Sequence, residues 1–291
     1  MGTQVALRER HENVGGFSTR VARTDGVGPA VVLVHGFGDS ADTWRPLMRR
    51  LAAADTRTVA LDLPGFAEAE RLRSGLILPQ MREAIADLIE LEADGSGGDV
   101  IVVGNSLGGG LALRLRDDPA LPIERVIALA PAGVWTPGWT ALVQHDPLVR
   151  ALLHLPLPAP PRSVRYLVEG IVGRLAFTDP RSEHATAFAR HYRSRLDVKR
   201  LHETLQRILP ELRPPLRLAG IEHPVTIVWG DRDRLITRRG FESIVARAPD
   251  GELVVLEGCG HLPQIERTRE VAEIVLGVRE QASARPRPTP V

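Results

Sequence analysis

The sequence predicts an α/β fold built on a mostly parallel sheet, because three apolar runs each end in a short, glycine-bearing loop that carries polar residues. Val100 to Val103 leads into Gly104-Asn105-Ser106-Leu107-Gly108 and then into a segment with helical apolar spacing. Pro224 to Trp229 runs directly into Gly230-Asp231-Arg232-Asp233, and Leu253 to Leu256 runs into Glu257-Gly258-Cys259-Gly260-His261. Continuous apolar runs of this kind fit strands covered on both faces, and loops at the carboxyl ends of parallel strands are where such sheets place their chemistry. Between the last two runs, about Arg238 to Ala248 reads as a helix long enough for a right-handed crossover.

The first loop is a G-x-S-x-G element set between strand and helix, the context in which a serine becomes a nucleophile. The bend is so sharp that side chains at positions 104 and 108 would collide, which is why both are glycine. Ser106 is then held in a strained conformation with its hydroxyl exposed. The N–H of Leu107 points to where charge develops on an attacked carbonyl, and the helix N-terminus adds a favourable dipole. A serine hydroxyl is a poor nucleophile at neutral pH, so an imidazole must take its proton and a carboxylate must orient that imidazole. Of nine histidines, His261 is the one that follows an expected strand in a glycine-framed loop downstream of an acidic loop. For the carboxylate, Asp231 competes with Asp233.

These residues together resemble an α/β-hydrolase-fold serine hydrolase over about residues 5 to 280. Upstream, Val31-Val32-Leu33-Val34-His35-Gly36-Phe37-Gly38 is similar to that family's third strand and His-Gly loop, and Asp62-Leu63-Pro64-Gly65 after the strand Thr58 to Leu61 fits as well. The resemblance implies a mostly parallel eight-stranded sheet flanked by helices, with a helical cap inserted after strand 6. Its domains would be a core of residues 1–132 and 224–281 and a cap of residues 133–223. It implies Ser106, Asp233 and His261 as catalytic residues, Asp233 because the family pattern is glycine, two residues, then aspartate. The backbone N–H groups of Phe37 and Leu107 would form the oxyanion hole, with His35 buried beside that loop to orient it. One departure stands out: many relatives have a second glycine two residues after Gly65, where this chain has Ala67, so a loop of different shape is expected there.

Strand-like Arg125 to Leu129 ends at Ala130-Pro131-Ala132-Gly133, and no comparable strand returns until Pro224. The intervening chain occupies the family's usual cap position and reads as about four helices, with Val198, Leu201, Leu205 and Ile208 at spacings of three and four. Leu155 to Pro161 is too proline-rich for an ordinary helix and reads as a stiff connector. Trp135, Trp139, Leu142 and Val143 are candidates for an apolar acyl pocket, with core packing the equal alternative. Arg190, His191 and Arg193 read first as a solvated helix face. The tail from Ala282 to Val291, rich in proline and arginine, is expected to be disordered.

Composition bounds the partners. A chain of 291 residues, 43% hydrophobic, can bury one large core. A net charge of +1 gives no electrostatic case for nucleic acid, even though all the basic residues but Lys199 are arginine. Cys259 is the only cysteine, so no internal disulfide is possible, and its expected role is packing. No zinc spacing, phosphate loop or dinucleotide fingerprint occurs, so no cofactor or metal is expected. Nor is a membrane span, and a cytoplasmic location is the default expectation. A small-molecule acyl substrate is the expected partner.

Serine at the elbow argues against epoxide opening or halide displacement, whose enzymes resemble this chain but carry aspartate there. Attack on a carbonyl is left: an ester first, then a carbon–carbon bond of meta-cleavage type, which the Gly-Asn-Ser-Leu-Gly-Gly elbow resembles. Against the latter, such enzymes commonly carry tryptophan after the histidine, where this chain has Leu262. A hydrolase-fold ligand sensor is the third reading.

Overall fold

A computed structural model describes residues 6–115, 118–135, 160–180, 182–192, 194–212 and 223–284. Eight strands form one sheet: β1 (Arg8–Val14), β2 (Phe17–Thr24), β3 (Val27–Val34), β4 (Thr56–Leu61), β5 (Val100–Asn105), β6 (Ile123–Leu129), β7 (Val225–Gly230) and β8 (Glu252–Leu256). Their order is β1-β2-β4-β3-β5-β6-β7-β8, with β3 to β8 mutually parallel and β1 and β2 antiparallel at one edge. Flanking helices are α1 (Arg45–Ala53), α2 (Ile77–Ser96), α3 (Leu107–Leu115), α4 (Pro161–Ala176), α5 (Glu183–Ala189), α6 (Arg195–Leu212), α7 (Phe241–Val245), α8 (Pro263–Glu266) and α9 (Thr268–Ala284). This is the α/β-hydrolase architecture, an expectation of the sequence that the strand order meets.

Side chains that alternate along each strand divide into two cores. Val32, Val34, Val102, Val126 and Ala128 join one cluster with α2 and α3, while Val31, Leu33, Ile101, Val103, Ile127 and Leu129 join another with α1 and α9. Both faces are therefore dry, which is why the central strands read as unbroken apolar runs. The strand order reverses between β3, whose successor lies on one side, and β5, which lies on the other. Loops diverge at such a switch point and leave a crevice at the carboxyl ends of the strands. The loops after β3 and β5 carry Phe37 and Ser106.

Two edge strands carry weak signals. β1 is largely exposed and charged, and its pairing with β2 rests on the Gly15-Gly16 turn, with φ of 56° and 75°. Two left-handed residues match the twist of a tight hairpin, so that Gly-Gly pair is the readable sign. The crossover helix expected at 238–248 is confined to Phe241–Val245. Gly240 precedes it at φ 93°, a conformation no helix contains, and Pro249 lies just beyond.

Between β6 and β7, α4, α5 and α6 occupy the stretch where about four helices are expected; residues 136–159 and 213–222, including most of the proline-rich connector, lie outside the described residues. Of that connector, Pro160 and Pro161 begin α4, where the missing N–H costs nothing. Glu211, near the end of α6, accepts from the N–H groups of Ile77 and Leu78 at 2.8 and 2.9 Å. It thus supplies the anionic cap that α2 lacks locally. At the C-terminus, α9 runs to Ala284, three residues beyond the expected boundary at 281. Glu280 to Ala284 includes good helix formers, and Pro286 disfavours helical backbone at the residue before it.

Helix α3 sits unusually low on the sheet. A Cβ on Gly108 would lie 2.2 Å from the Val34 carbonyl oxygen, one on Gly104 2.3 Å from that of Gly108, and one on Gly110 2.2 Å from that of Ala132. Gly108→Ala should therefore destabilise the fold by about 1–3 kcal/mol through forced backbone displacement. A urea titration reads this as a lower midpoint; an unchanged midpoint would show that the helix shifts freely.

Candidate active site

Ser106 adopts φ 52°, one of five described non-glycine residues with positive φ. Its N–H donates to the Leu129 carbonyl at 2.9 Å, and its own carbonyl accepts from Gly110 at 2.9 Å and Ala132 at 2.8 Å. The strained turn is thus tied to β6 on one side and to α3 on the other. Leu107 is the first residue of α3, where N–H groups have no preceding helical carbonyl to bond.

Of the two candidate carboxylates, Asp233 is the one that bonds the imidazole. Asp233 Oδ2 lies 2.8 Å from His261 Nδ1, and its Oδ1 accepts from Leu235 and Ile236 N–H at 2.8 and 2.9 Å. Its side chain is fully buried. Asp231 instead faces the surface and accepts from Gly258 N–H at 2.7 Å. A carboxylate at Nδ1 fixes the ring tautomer, leaving Nε2 as the acceptor nitrogen when the imidazole is neutral.

Contacts from several elements hold the histidine loop. A Cβ on Gly230 would lie 2.3 Å from the Cys259 carbonyl oxygen, so glycine lets the acid and histidine loops touch. Asn105 Nδ2 donates to the carbonyls of Leu129, 3.2 Å, and His261, 3.1 Å, joining the elbow to the histidine. Glu266 accepts from Gly260 N–H with one oxygen and from Thr178 N–H and hydroxyl with the other, at 2.6 and 2.8 Å. His261 N–H donates to the Ala176 carbonyl at 3.0 Å, so the end of α4 is bonded to the same loop. Sequence reading missed Asn105 and Glu266. A polar residue closing a wholly buried apolar strand was a readable sign for the first; nothing local marks the second.

The loop after β3 behaves as expected. His35 is fully buried; its Nδ1–H donates to the Gly36 carbonyl at 2.7 Å and its Nε2 accepts from Leu63 N–H at 2.8 Å. Burial, which outweighs the nearby Asp62 carboxylate, holds its pKa below the usual histidine value, so it stays neutral and spans two loops. Ala67 takes φ 45°, the left-handed conformation that glycine would adopt without strain. Phe66 before it packs edge-on against Phe37, with ring centroids 5.3 Å apart. Burial pushes the Cys259 thiol up to about 12, so it stays protonated and packs as a small apolar group.

Ser106, His261, Phe37 and Leu107 all line one cavity of about 390 Å³. Its far wall is aliphatic, from Val168, Ile171 and Leu175 of α4 and Leu201, Leu205 and Ile208 of α6. Trp135 lines it too, 41% exposed and stacked under the Arg239 guanidinium at 3.6 Å. Trp139, Leu142 and Val143 lie outside the described residues, as does Arg193. His191 contacts the Ser40 hydroxyl at 3.3 Å, and Arg190 is exposed. A larger groove of about 860 Å³ lies away from this site, between the β1–β2 turn and α2, and is lined by charged residues such as Arg82, Glu83 and Asp87. Among the described residues, no helix is long and apolar enough to cross a membrane.

Residues 31–274 match the alpha/beta hydrolase family, and the chain belongs to that family. It is 30% identical to a pimeloyl-[acyl-carrier protein] methyl ester esterase of Xanthomonas campestris, an alignment covering 85% of this chain and 94% of that one. The fold is similar to that of 2-hydroxy-6-oxo-6-phenylhexa-2,4-dienoate hydrolase from Rhodococcus, with a TM-score of 0.73, 21% identity and coverage of 95% and 99%. A thermophilic esterase from Thermogutta terrifontis gives 0.72, 17%, and coverage of 94% and 98%.

The Glu266 contacts generate a testable expectation. Glu266→Gln keeps the size but turns an N–H₂ toward one of two backbone donors, and hydrogen bonds to charged groups contribute about 1.5–3 kcal/mol. Amide exchange at Gly260, His261 and Thr178 should accelerate together. Unchanged exchange at all three would show that the carboxylate does not hold the loop.

Proposed function

We propose that the protein is a serine hydrolase that cleaves a carboxylic ester through an acyl-enzyme. The observation that carries this reading is a left-handed serine opening on the same apolar cavity as a histidine whose Nδ1 is paired with a buried carboxylate.

In this reading His261 Nε2 takes the Ser106 proton as Oγ attacks the ester carbonyl, and the carbonyl π electrons move onto its oxygen. The N–H groups of Phe37 and Leu107 stabilise that oxyanion. Asp233 stabilises the imidazolium. As the tetrahedral intermediate collapses, the carbon–oxygen bond to the leaving group breaks and His261 donates its proton to the departing alkoxide. Water, deprotonated by the same imidazole, then attacks the acyl-Ser106 ester, and the acid is released with the serine regenerated. Residues 133–223 act as a cap that supplies the acyl pocket and excludes water, over a core of residues 1–132 and 224–281.

Carbon–carbon cleavage is the second reading, favoured by the elbow sequence. Its acidic diketones call for a cation in the pocket, whereas the described lining has aliphatic side chains and no arginine or lysine. The methyl ester esterase relative adds support to the ester reading.

A fluorophosphonate should label the wild-type protein stoichiometrically and fail to label Ser106→Ala; equal labelling of both would sink the assignment. Asp233→Asn should lower kcat on p-nitrophenyl esters by on the order of 10⁴ while the fold persists, because an amide favours the wrong tautomer. Asp231→Asn should do far less, since that carboxylate bonds Gly258 instead. A reversed ranking would move the acid role to Asp231.

A further inference from the structure

We propose that Asp39 is a specificity-determining residue of this cavity, a carboxyl in its wall that excludes acyl groups with an anionic end and restricts the site to neutral chains. The proposal rests on the hydrolase reading of Ser106 and adds the class of acyl group to it.

Asp39 stands two residues after Phe37, on the loop assigned to the oxyanion, and it is the only acidic residue among the described lining of the cavity. The other polar members are Asn105, Ser106 and His261, none of them acidic. Asn105 donates to two carbonyls, His261 is paired with Asp233, and Ser106 is the nucleophile of the proposed reaction. Every remaining described lining residue is glycine or apolar, apart from the tryptophan at the mouth. In such a setting one ionisable group dominates the local field, because little polar material screens it.

Among the described residues, no ion pair to Asp39 is present. Asp39 Oδ1 accepts from Ser40 N–H at 2.9 Å, and the Thr43 hydroxyl is its other donor. Two donors do not saturate a carboxylate, which has about four acceptor positions. Of the charged and titratable groups packed around it, Asp42 and Asp62 are themselves acidic. Arg20 is engaged by both of those carboxylates. From the segment after α5, Tyr192 donates its hydroxyl to the Gly38 carbonyl at 2.6 Å, and His191 meets Ser40. His35 is held neutral, and His261 is paired with Asp233 on another wall. Burial first, and then the two neighbouring carboxylates, push Asp39 up to about 7. Below that pH the wall presents a carboxylic acid, and above it a carboxylate.

The consequence is a selectivity that depends on charge and on pH. An acyl chain ending in a methyl group meets only aliphatic wall and a compact polar patch. A chain of equal length ending in carboxylate loses its hydration and also meets Asp39. Desolvation acts at every pH, so the part due to Asp39 is the part that grows as Asp39 ionises.

The test compares kcat/KM for methyl octanoate and monomethyl suberate, matched in length, between pH 6 and pH 8.5. The neutral-to-anionic ratio should rise by about tenfold across that range in the wild type. In Asp39→Asn it should be lower by about tenfold at the high end and flat with pH. The wild-type pH series needs no variant, so it decides the point even if Asp39→Asn folds poorly. Calorimetric binding of octanamide and of suberic acid monoamide, matched in length and differing in the distal carboxylate, gives the same contrast without turnover. A ratio flat with pH in the wild type, or unmoved by Asp39→Asn, would overturn the role of Asp39. Absence of fluorophosphonate labelling and of turnover on either ester would instead refute the hydrolase reading, with the calorimetric contrast still reporting on Asp39.

Discussion

The structure depends on a backbone-to-backbone contact: α3 lies against the carboxyl ends of β3 and β5 with no side chain between them. Gly104, Gly108 and Gly110 each leave less than 2.4 Å between a would-be Cβ and a carbonyl oxygen. Only under that condition does the chain leave β5, pass through Ser106 at φ 52° and enter the helix within one residue. The strain at Ser106 is held by bonds on both sides, from its N–H to β6 and from its carbonyl to Gly110 and Ala132.

Around that contact, the other loops are referenced to one another and not merely to the sheet. Gly230 lets the acid loop touch the histidine loop, Asn105 binds the histidine carbonyl from the elbow, and His35 bridges the loops after β3 and β4. The segment between β6 and β7 enters the same network, since Ala176 and Thr178 bond the histidine loop or its Glu266 anchor, and Tyr192 bonds the Gly38 carbonyl. A displacement of the helices over the cavity therefore strains the loops that carry the candidate site.

Burial separates the charged groups by task. Arg20 and Asp62 form a buried pair, with Asp62 also accepting from Ala41 and Glu68 N–H, and the pair ties the loop after β4 to the turn that follows the β3 loop. Asp233 is equally buried but satisfied by two N–H groups and an imidazole. Asp39 is buried beside Asp42 and Asp62, and that burial and those neighbours push its pKa up to about 7.

What the sequence by itself determined was local. The parallel α/β class follows from apolar runs that alternate between two dry faces, the turn that carries Ser106 from five contiguous residues, and the loops that carry Asp233 and His261 from the strands before them. Those signals survive in one dimension because each is set by a residue's immediate chain neighbours. That Asp233 and not Asp231 bonds His261, across 28 positions of chain, is a fact of the tertiary structure, in line with the family spacing that favoured Asp233. The contacts of Glu266 and Asp39 were beyond reach, and for Asn105 and the apolar face of α6 the sequence held a sign but not the partner. Each works through atoms brought together only when the sheet, its loops and the inserted helices pack, and packing distance bears no fixed relation to distance along the chain.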